Sequence, residues 1–404
     1  MSLHANRRST LLAAVAALAL VSVPAFAADP IKIGVSGPFT GGSSSMGVSM
    51  RDGVKLAITE INKAGGVLGR PLEAVERDDE ARNEVGVQIT QELINKEKVV
   101  ATVGYINTGV ALASQRFYQE AEIPVFNNVA TGTVITQQFA KERANYVFRN
   151  AAPDVIQAPM IVDEAITRRG FKKPAILADS TNYGQLGRED LEKALAAKGV
   201  KAVATEKFNI GDTDMTAQLL RAKEAGADVI LTYGIGPELA QIANGQAKLG
   251  WKVPLVGSWT LSMSSFIDNA GPNGNGALMP QTFIQLPNTP QRKTFIDAYT
   301  AAYKVDRMPS PVSAAQGYDS VFLLAAAIKQ AGSTAGPKIR AALDDLKEKV
   351  PGVITTYDHP FTATDHEAIS GNIPVFGLVK DGRVVPAHDE DEAGDKAVRL
   401  KPRA

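Results

Sequence analysis

The chain reads as an α/β protein built from two parallel-sheet units. Three observations carry that reading: apolar strand-like runs alternate with amphipathic helical runs from Ile31 onward, the alternation restarts after Arg149, and 404 residues are more than one ordinary core encloses.

In the first unit, residues 31–35 predict a strand. Val54, Ile58 and Ile61 recur at helical spacing, and Gly65-Gly66 stops that helix. Residues 72–75 predict a second strand, 85–94 a helix, 99–103 a continuous apolar strand, 111–120 a helix, and Pro124-Val125-Phe126 the start of a further strand. Parallel neighbours need a crossover connection, so this rhythm gives a parallel sheet with helices on both faces. In the second unit, strands are predicted at 175–178, 203–208, 229–232 and 255–256, and helices at 188–198, 216–224 and 238–249. Gly271-Pro272-Asn273-Gly274-Asn275-Gly276 reads as the strongest linker signal. Helices follow near 290–303, 313–331 and 336–348, and the last strands near 353–357 and 373–380. From 388 the chain is charged and is expected to fray.

Ahead of the first strand, Arg7-Arg8, an apolar run from Leu11 to Val23, and Ala25-Phe26-Ala27 form the n-region, h-region and A-x-A site of a secretory signal peptide. Cleavage after Ala27 and export to the periplasm are expected. The run is short for a membrane span, and Pro24 closes it. Lys plus Arg and Asp plus Glu balance at 43 each, and the leader carries two of the basic residues, so residues 28–404 have a net charge of −2. That balance argues against nucleic acid and against a polybasic membrane contact. There is no cysteine, so an exported chain of this kind relies on its core alone and has no thiol nucleophile or thiolate metal site.

The motifs of enzymes are missing. Gly34-Val35-Ser36-Gly37 and Gly42-Ser43-Ser44-Ser45-Met46-Gly47 both miss the spacing of a nucleophile elbow, and no Walker A or H-E-x-x-H sequence occurs. His359, His366 and His388 fall late, near turns, and read as surface residues; no metal and no cofactor is expected. Gly65-Gly66-Val67-Leu68-Gly69 follows a helix and precedes a strand, the reverse of a phosphate loop, and reads as a cap and turn. Asp78-Asp79-Glu80 reads as a solvated loop or helix start.

The informative polar groups sit after strands, where open α/β sheets bind ligands. Ser36 to Ser45 follows the first strand, Gly104-Tyr105-Ile106-Asn107-Thr108-Gly109 the third, and Asn127-Asn128-Val129-Ala130-Thr131 the fourth. Hydroxyls and free N–H groups at three adjacent helix starts suit a carboxylate or another small anion. The same residues serve equally as N-caps, so both readings stay open. Asp179-Ser180-Thr181-Asn182-Tyr183-Gly184 follows a strand of the second unit in the same way.

An ordered set of residues then adds a resemblance over nearly the whole chain. The set comprises Ile31-Lys32-Ile33-Gly34 with Gly37-Pro38 and Thr40-Gly41; Glu60-Ile61-Asn62 with Gly65-Gly66 and Gly69-Arg70-Pro71; Asp78-Asp79; Val103-Gly104; Ile123-Pro124; Tyr146-Val147-Phe148-Arg149; Tyr183-Gly184; Asp212-Thr213-Asp214; Ala227-Asp228-Val229-Ile230; and Gly317-Tyr318-Asp319. It resembles the periplasmic leucine/isoleucine/valine-binding protein family, the type 1 substrate-binding subunits of branched-chain amino acid ABC importers. The resemblance implies two doubly wound α/β lobes joined by three crossover strands, near 149, 283 and 355, with a ligand cleft between them and hinge closure. It divides the chain into a first lobe of 28–149 plus 284–354, a second of 150–283 plus 355–388, and a charged tail of 389–404. It also implies a monomeric, non-enzymatic carrier that passes a small solute to an ABC permease.

Carried over residue by residue, the resemblance gives Thr108, Val129 (through its backbone) and Thr131 the ligand's carboxylate. Asn107 lies in the same loop. Tyr183 matches an aromatic that closes over the ligand, Met46 falls where a pocket-lining tyrosine is common, and Tyr233 is a pocket wall. The chain departs from the family at one point: where amino-acid binders carry an acid for the ligand's ammonium, the matching residue is Trp259, between Ser258 and Thr260. An ammonium buried without a countercharge is costly. Glu238 could supply an acid from the loop Tyr233-Gly234-Ile235-Gly236-Pro237, but its position reads as a helix start. The expected solute is therefore a carboxylated one, a branched-chain or other amino acid, with an aromatic or keto acid lacking the ammonium as the alternative enclosed by Trp259, Tyr183, Phe39 and Met46.

Overall fold

A computed structural model describes residues 29–397 and 399–402; the expected leader at 7–27 lies outside them. The first part of the chain runs β1 (Ile31–Gly37), α1 (Ser44–Lys63), β2 (Leu72–Asp78), α2 (Asn83–Glu92), β3 (Ala101–Gly104), α3 (Thr108–Glu120), β4 (Val125–Asn127) and β5 (Val147–Arg149). These five strands form one parallel sheet in the order β2-β1-β3-β4-β5. The second part runs α4 (Asp154–Val162), β6 (Pro174–Asp179), α5 (Asn182–Ala197), β7 (Ala204–Phe208), α6 (Thr216–Glu224), β8 (Val229–Tyr233), α7 (Pro237–Lys248), β9 (Leu255–Gly257), α8 (Ser264–Ala270) and β10 (Leu278–Gln281). Then come α9 (Pro290–Tyr303), α10 (Pro311–Ala331), α11 (Gly336–Asp344), β11 (Val350–Pro351), β12 (Thr356–Tyr357), β13 (Val375–Lys380), β14 (Arg383–Pro386) and α12 (Asp389–Lys396).

The second sheet has seven strands in the order β14-β13-β10-β9-β8-β6-β7. β6 to β10 are parallel, and β13 and β14 close one edge antiparallel. Every residue of β6 and β8 is buried, as expected of parallel strands covered on both faces. α1 presents Met50, Val54, Ala57, Ile58 and Ile61 to the first core, and the turn after it takes positive φ at Gly65, Gly66 and Gly69, as a cap and turn require.

The chain passes between the sheets three times. β5 leads into the second sheet, and β10 leads back to α9 and α10. α10 packs on α1 so closely that a Cβ on Gly317 would stand 2.3 Å from Met50 O, and one on Gly53 2.1 Å from Ala314 O. The third passage pairs with the first at Arg149 and Glu367, where Arg149 N donates to His366 O and Ala368 N to Arg149 O. It therefore lies beyond the expected position near 355. Phe361, at ring distances of 5.7 and 5.1 Å from Phe126 and Phe148, still belongs to the first core, so the boundary at 354 falls too early.

Four further expectations change. Gly271–Gly274 is a single 3-10 turn between α8 and β10 inside the second sheet's lobe, not a linker. The strand near 353–357 is half of the β11–β12 hairpin, separate from both sheets. The charged tail does not fray: α12 packs on β13 and β14, and buried Asp395 pairs with Arg292 of α9, whose Nε also donates to Val353 O. His366 is not a surface residue; it is buried, stacked on Phe148 at 4.1 Å and hydrogen-bonded through Nδ1 to Val147 O. No helix among the described residues is long and apolar enough to cross a membrane.

Candidate ligand-binding site

The loops after β1, β3 and β4 come together at the end of the first sheet that faces the second lobe. Asn107 precedes α3 and donates through Nδ2 to Ser43 Oγ at 3.4 Å, tying the first loop to the second. Thr108 opens α3, and its Oγ1 accepts from Gly132 N at 3.3 Å, tying the second loop to the third. In that third loop the N–H groups of Asn128 and Ala130, flanking Val129, are bonded to Gly104 O and Tyr105 O. Asn107, Thr108, Val129 and Thr131 are thus neighbours. Met46, in the first turn of α1, is buried with the same lobe.

Arg149 fixes the third loop from beneath. Its side chain is fully buried, pairs with Glu367 through Nε and Nη2, and donates through Nη1 to Gly132 O at 2.7 Å. One guanidinium thus ties the third passage between the sheets to the third loop.

From the second lobe come Tyr183, Tyr233 and Trp259. α5 starts at Asn182, six residues before the predicted helix at 188, so Tyr183 lies in its first turn rather than in a loop. Tyr183 Oη donates to Ser258 Oγ at 2.6 Å, the Ser258 and Thr260 hydroxyls are 2.8 Å apart, and Thr260 Oγ1 donates to Gly234 O at 2.7 Å. Tyr233 ends β8 with its ring 5.4 Å from that of Tyr183. Trp259 opens the 3-10 turn after β9; its backbone N–H donates to Gln157 Oε1 at 3.2 Å.

The two lobes touch. Thr133 Oγ1 donates to Asp190 Oδ2 of α5 at 2.7 Å, a Cβ on Gly109 would meet Asn182 Oδ1 at 2.8 Å, and one on Gly236 would meet Gly42 O at 3.0 Å. A gap of about 10 Å³, enough for about one water, is bounded by Thr131, Gln157, Trp259, Gln281 and Gln316 among others.

Several buried side-chain atoms facing this junction have no hydrogen-bond partner in the protein: Asn107 Oδ1, Asp154 Oδ2, Tyr233 Oη and Trp259 Nε1. Such atoms are uncommon in folded proteins, and each calls for an explanation, of which a bound partner is one. The first and the last two belong to residues expected from the sequence. Asp154 was not expected. It opens α4 directly after the first passage between lobes, its N–H donates to Thr131 O at 2.8 Å, and its side chain is fully buried. Its signal in the sequence, an acid after Pro153 at a helix start, is indistinguishable from an ordinary dipole partner.

Other expected residues take structural parts. Phe39 packs at the lobe edge under the Arg51 guanidinium, 5.1 Å from the ring centroid. Glu238 is buried in the first turn of α7, where Oε1 accepts from Gly211 N at 2.7 Å. The acidic cluster is not a solvated loop. Burial pushes the Asp78 carboxyl up, but hydrogen bonds from Glu80 N, Phe39 N and Thr40 Oγ1 outweigh it and hold the group below its ordinary range. Asp79 is buried against Ser36, and burial pushes its carboxyl up to about 7. Among the described residues no group of three or more His, Asp or Glu side chains is arranged to hold a metal ion.

Residues 30–383 match the model of a family described as periplasmic binding protein. The chain is 29% identical over 340 residues to the leucine-, isoleucine-, valine-, threonine- and alanine-binding protein of Pseudomonas aeruginosa, a match covering 84% of this chain and 88% of that one. Among solved structures it is similar to a periplasmic binding protein type 1 of Bordetella pertussis, with a TM-score of 0.80 and 29% identity over 88% of this chain and 100% of that one. It is also similar to LivJ, the branched-chain amino acid transporter substrate-binding protein of Streptococcus pneumoniae, solved with isoleucine. That match has a TM-score of 0.76 and 27% identity, covering 88% of this chain and 97% of the other.

Proposed function

We propose, from the premise that the chain belongs to the periplasmic binding protein family and is a substrate-binding protein of ABC-transporter type rather than an enzyme, that it captures a small carboxylated solute between its lobes in the periplasm and presents it to a permease. The observation that carries this reading is the set of buried, unpartnered polar atoms contributed by both lobes at one junction. A carboxylate received by Thr108, Thr131 and the Val129 backbone in the first lobe, and covered by Tyr183, Tyr233, Trp259 and Met46, leaves water when the lobes meet. Water exclusion strengthens each polar contact, and the solute bridges what would otherwise be two separate surfaces.

Two solute classes fit that carboxylate grip. The named binding of the relatives favours an amino acid, a branched-chain one in the first place. Trp259, standing where an acid is expected, favours an aromatic or keto acid without the ammonium. A thermal-shift screen of residues 28–404 against amino acids and matched ammonium-free carboxylates tests the reading. Only ligands of the folded state raise the melting temperature, by about 2.7 kcal/mol of added stability at a hundredfold excess over Kd. Shifts confined to carboxylated solutes support the reading; shifts with sugars or cations alone overturn it.

A further inference from the structure

We propose that the C-terminal segment, residues 389–397 and 399–402, is a strap across the passages between the lobes that holds them in the joined arrangement. The strap bears on how the lobes move, whichever solute they hold, and takes from the reading above only that they part.

The segment is anchored in the second lobe and reaches the first. α12 packs on β13 and β14, and Asp391 Oδ1 accepts from Phe376 N at 2.8 Å. Near the end of the same helix, buried Asp395 pairs with Arg292 of α9 and accepts from Asn288 Nδ2 at 2.5 Å. α9 packs on α1 of the first lobe, and Asn288 lies in the chain that returns there from β10. Beyond α12, Thr355 Oγ1 donates to Arg399 O at 2.7 Å, Arg399 Nη2 donates to Ile373 O, and Asn372 Nδ2 donates to Leu400 O at 2.9 Å. Thr355 precedes the third passage and Ile373 follows it. Lys401 ends the run on the passage itself, donating to Asp365 Oδ2 at 2.6 Å, to Pro360 O at 2.9 Å and to Glu367 O.

The segment is ordered by sign. Asp389 to Glu392 put acids in the first turn of α12, and Lys396, Arg399 and Lys401 follow. Acids of the helix meet cations of the body: Glu390 pairs with Arg168 and Asp395 with Arg292. Cations beyond it meet oxygens: Arg399 the carbonyl of Ile373, and Lys401 two carbonyls and Asp365. Complementary charge of this kind fixes the register in which the segment lies.

Neither end is released without cost. Arg292 and Asp395 are both buried, and a buried charge that loses its partner is strongly destabilising. Arg292 Nε also donates to Val353 O at 3.1 Å, which holds the guanidinium in place. A swing of the second lobe that carries α12 away from α9 strains this pair. At the other end Lys401 is bonded to Glu367, the partner of Arg149, whose Nη1 donates to Gly132 O beside Thr131. The strap therefore acts on the same loop that contributes to the proposed grip.

The chain has no cysteine, so two introduced ones carry unique spin labels. Glu84→Cys and Ile210→Cys replace exposed residues on facing rims. Asn83 and Asn182 both approach Gly109, and Gly211 N is bonded to Glu238, beside the contact of Gly236 with Gly42. Pulsed electron spin resonance on the ligand-free chain, residues 28–404, is expected to give mainly one short separation. In a chain that ends at Ala387 the ratio of long to short separations should rise roughly tenfold or more, and in Lys401→Met roughly threefold or more. Should the shortened chain fail to fold, Lys401→Met and Asp395→Asn decide the matter. Equal distributions in wild type and variants, or separations already long in wild type, overturn the strap. A lower urea midpoint with unchanged separations overturns it too and leaves α12 as packing alone. No solute enters the measurement, so the carboxylate reading stands or falls separately, by the thermal-shift screen.

Discussion

At the scale of single residues, charge placement separates what grips from what braces. Thr131→Ala removes a hydroxyl from the proposed carboxylate grip while its backbone bond to Asp154 stays. Affinity for the carboxylated solute should fall by roughly tenfold, as for a hydrogen bond to a charged group, with the unfolding midpoint little changed; an unchanged affinity by calorimetry removes Thr131 from the site. Asp79 tests the bracing cluster. Its folded pKa of about 7 exceeds the ordinary value near 4, so the folded state holds the proton more tightly. Its contribution to stability is fully present below about pH 4 and is lost as pH rises to about 7. Asp79→Asn keeps the neutral shape, so its stability relative to wild type should climb between those limits; a flat difference across urea titrations shows that Asp79 ionises freely. The residues of the proposed grip were legible because hydroxyls and Asn recur after three strands. Asp154 was not, because a lone acid at a helix start looks the same whether it faces a dipole or a cleft. Its burial beside Thr131 O shows only in the structure.

Among elements, periodicity gave most strands and helices of both sheets, since the covered parallel strands are short apolar runs bounded by Gly and Pro. It did not give the antiparallel edge of β13 and β14, because direction in a sheet follows from where the chain returns, not from its side chains. Nor did it give the docking of α12: a run of acids reads as solvated until the Arg292 guanidinium that buries Asp395 is seen. The interface of α1 and α10 depends on absent side chains. Gly317→Ala puts a methyl carbon 2.3 Å from Met50 O, a backbone atom that cannot rotate away. The helices must separate, and stability should fall by about 1–3 kcal/mol, read as a lower denaturant midpoint with an unchanged slope. A midpoint equal to wild type means that the helices are less tightly apposed than described.

For the molecule as a whole, the proposed closure of the lobes would draw on contacts made across the cleft. Thr133 Oγ1 to Asp190 Oδ2 is a hydrogen bond to a charged group across the cleft, made only when the lobes meet. Thr133→Val removes it without touching the proposed grip. The population of the joined form should drop, and solute affinity with it, by roughly three- to tenfold. Small-angle scattering of the ligand-free variant should show a larger radius of gyration than wild type; identical profiles and affinities exclude a role for this contact in closure.

The route of the chain has a bearing on its synthesis. The five strands of the first sheet are complete once Arg149 has emerged, yet the helix that covers Met50, Val54 and their neighbours ends only at Ala331. At ordinary rates of translation that is a delay of roughly ten to forty seconds. Throughout that interval the leading half has an open apolar face and no finished core. Until that helix arrives, apolar surface meant for the core stays uncovered, the condition in which a growing chain is most exposed to aggregation.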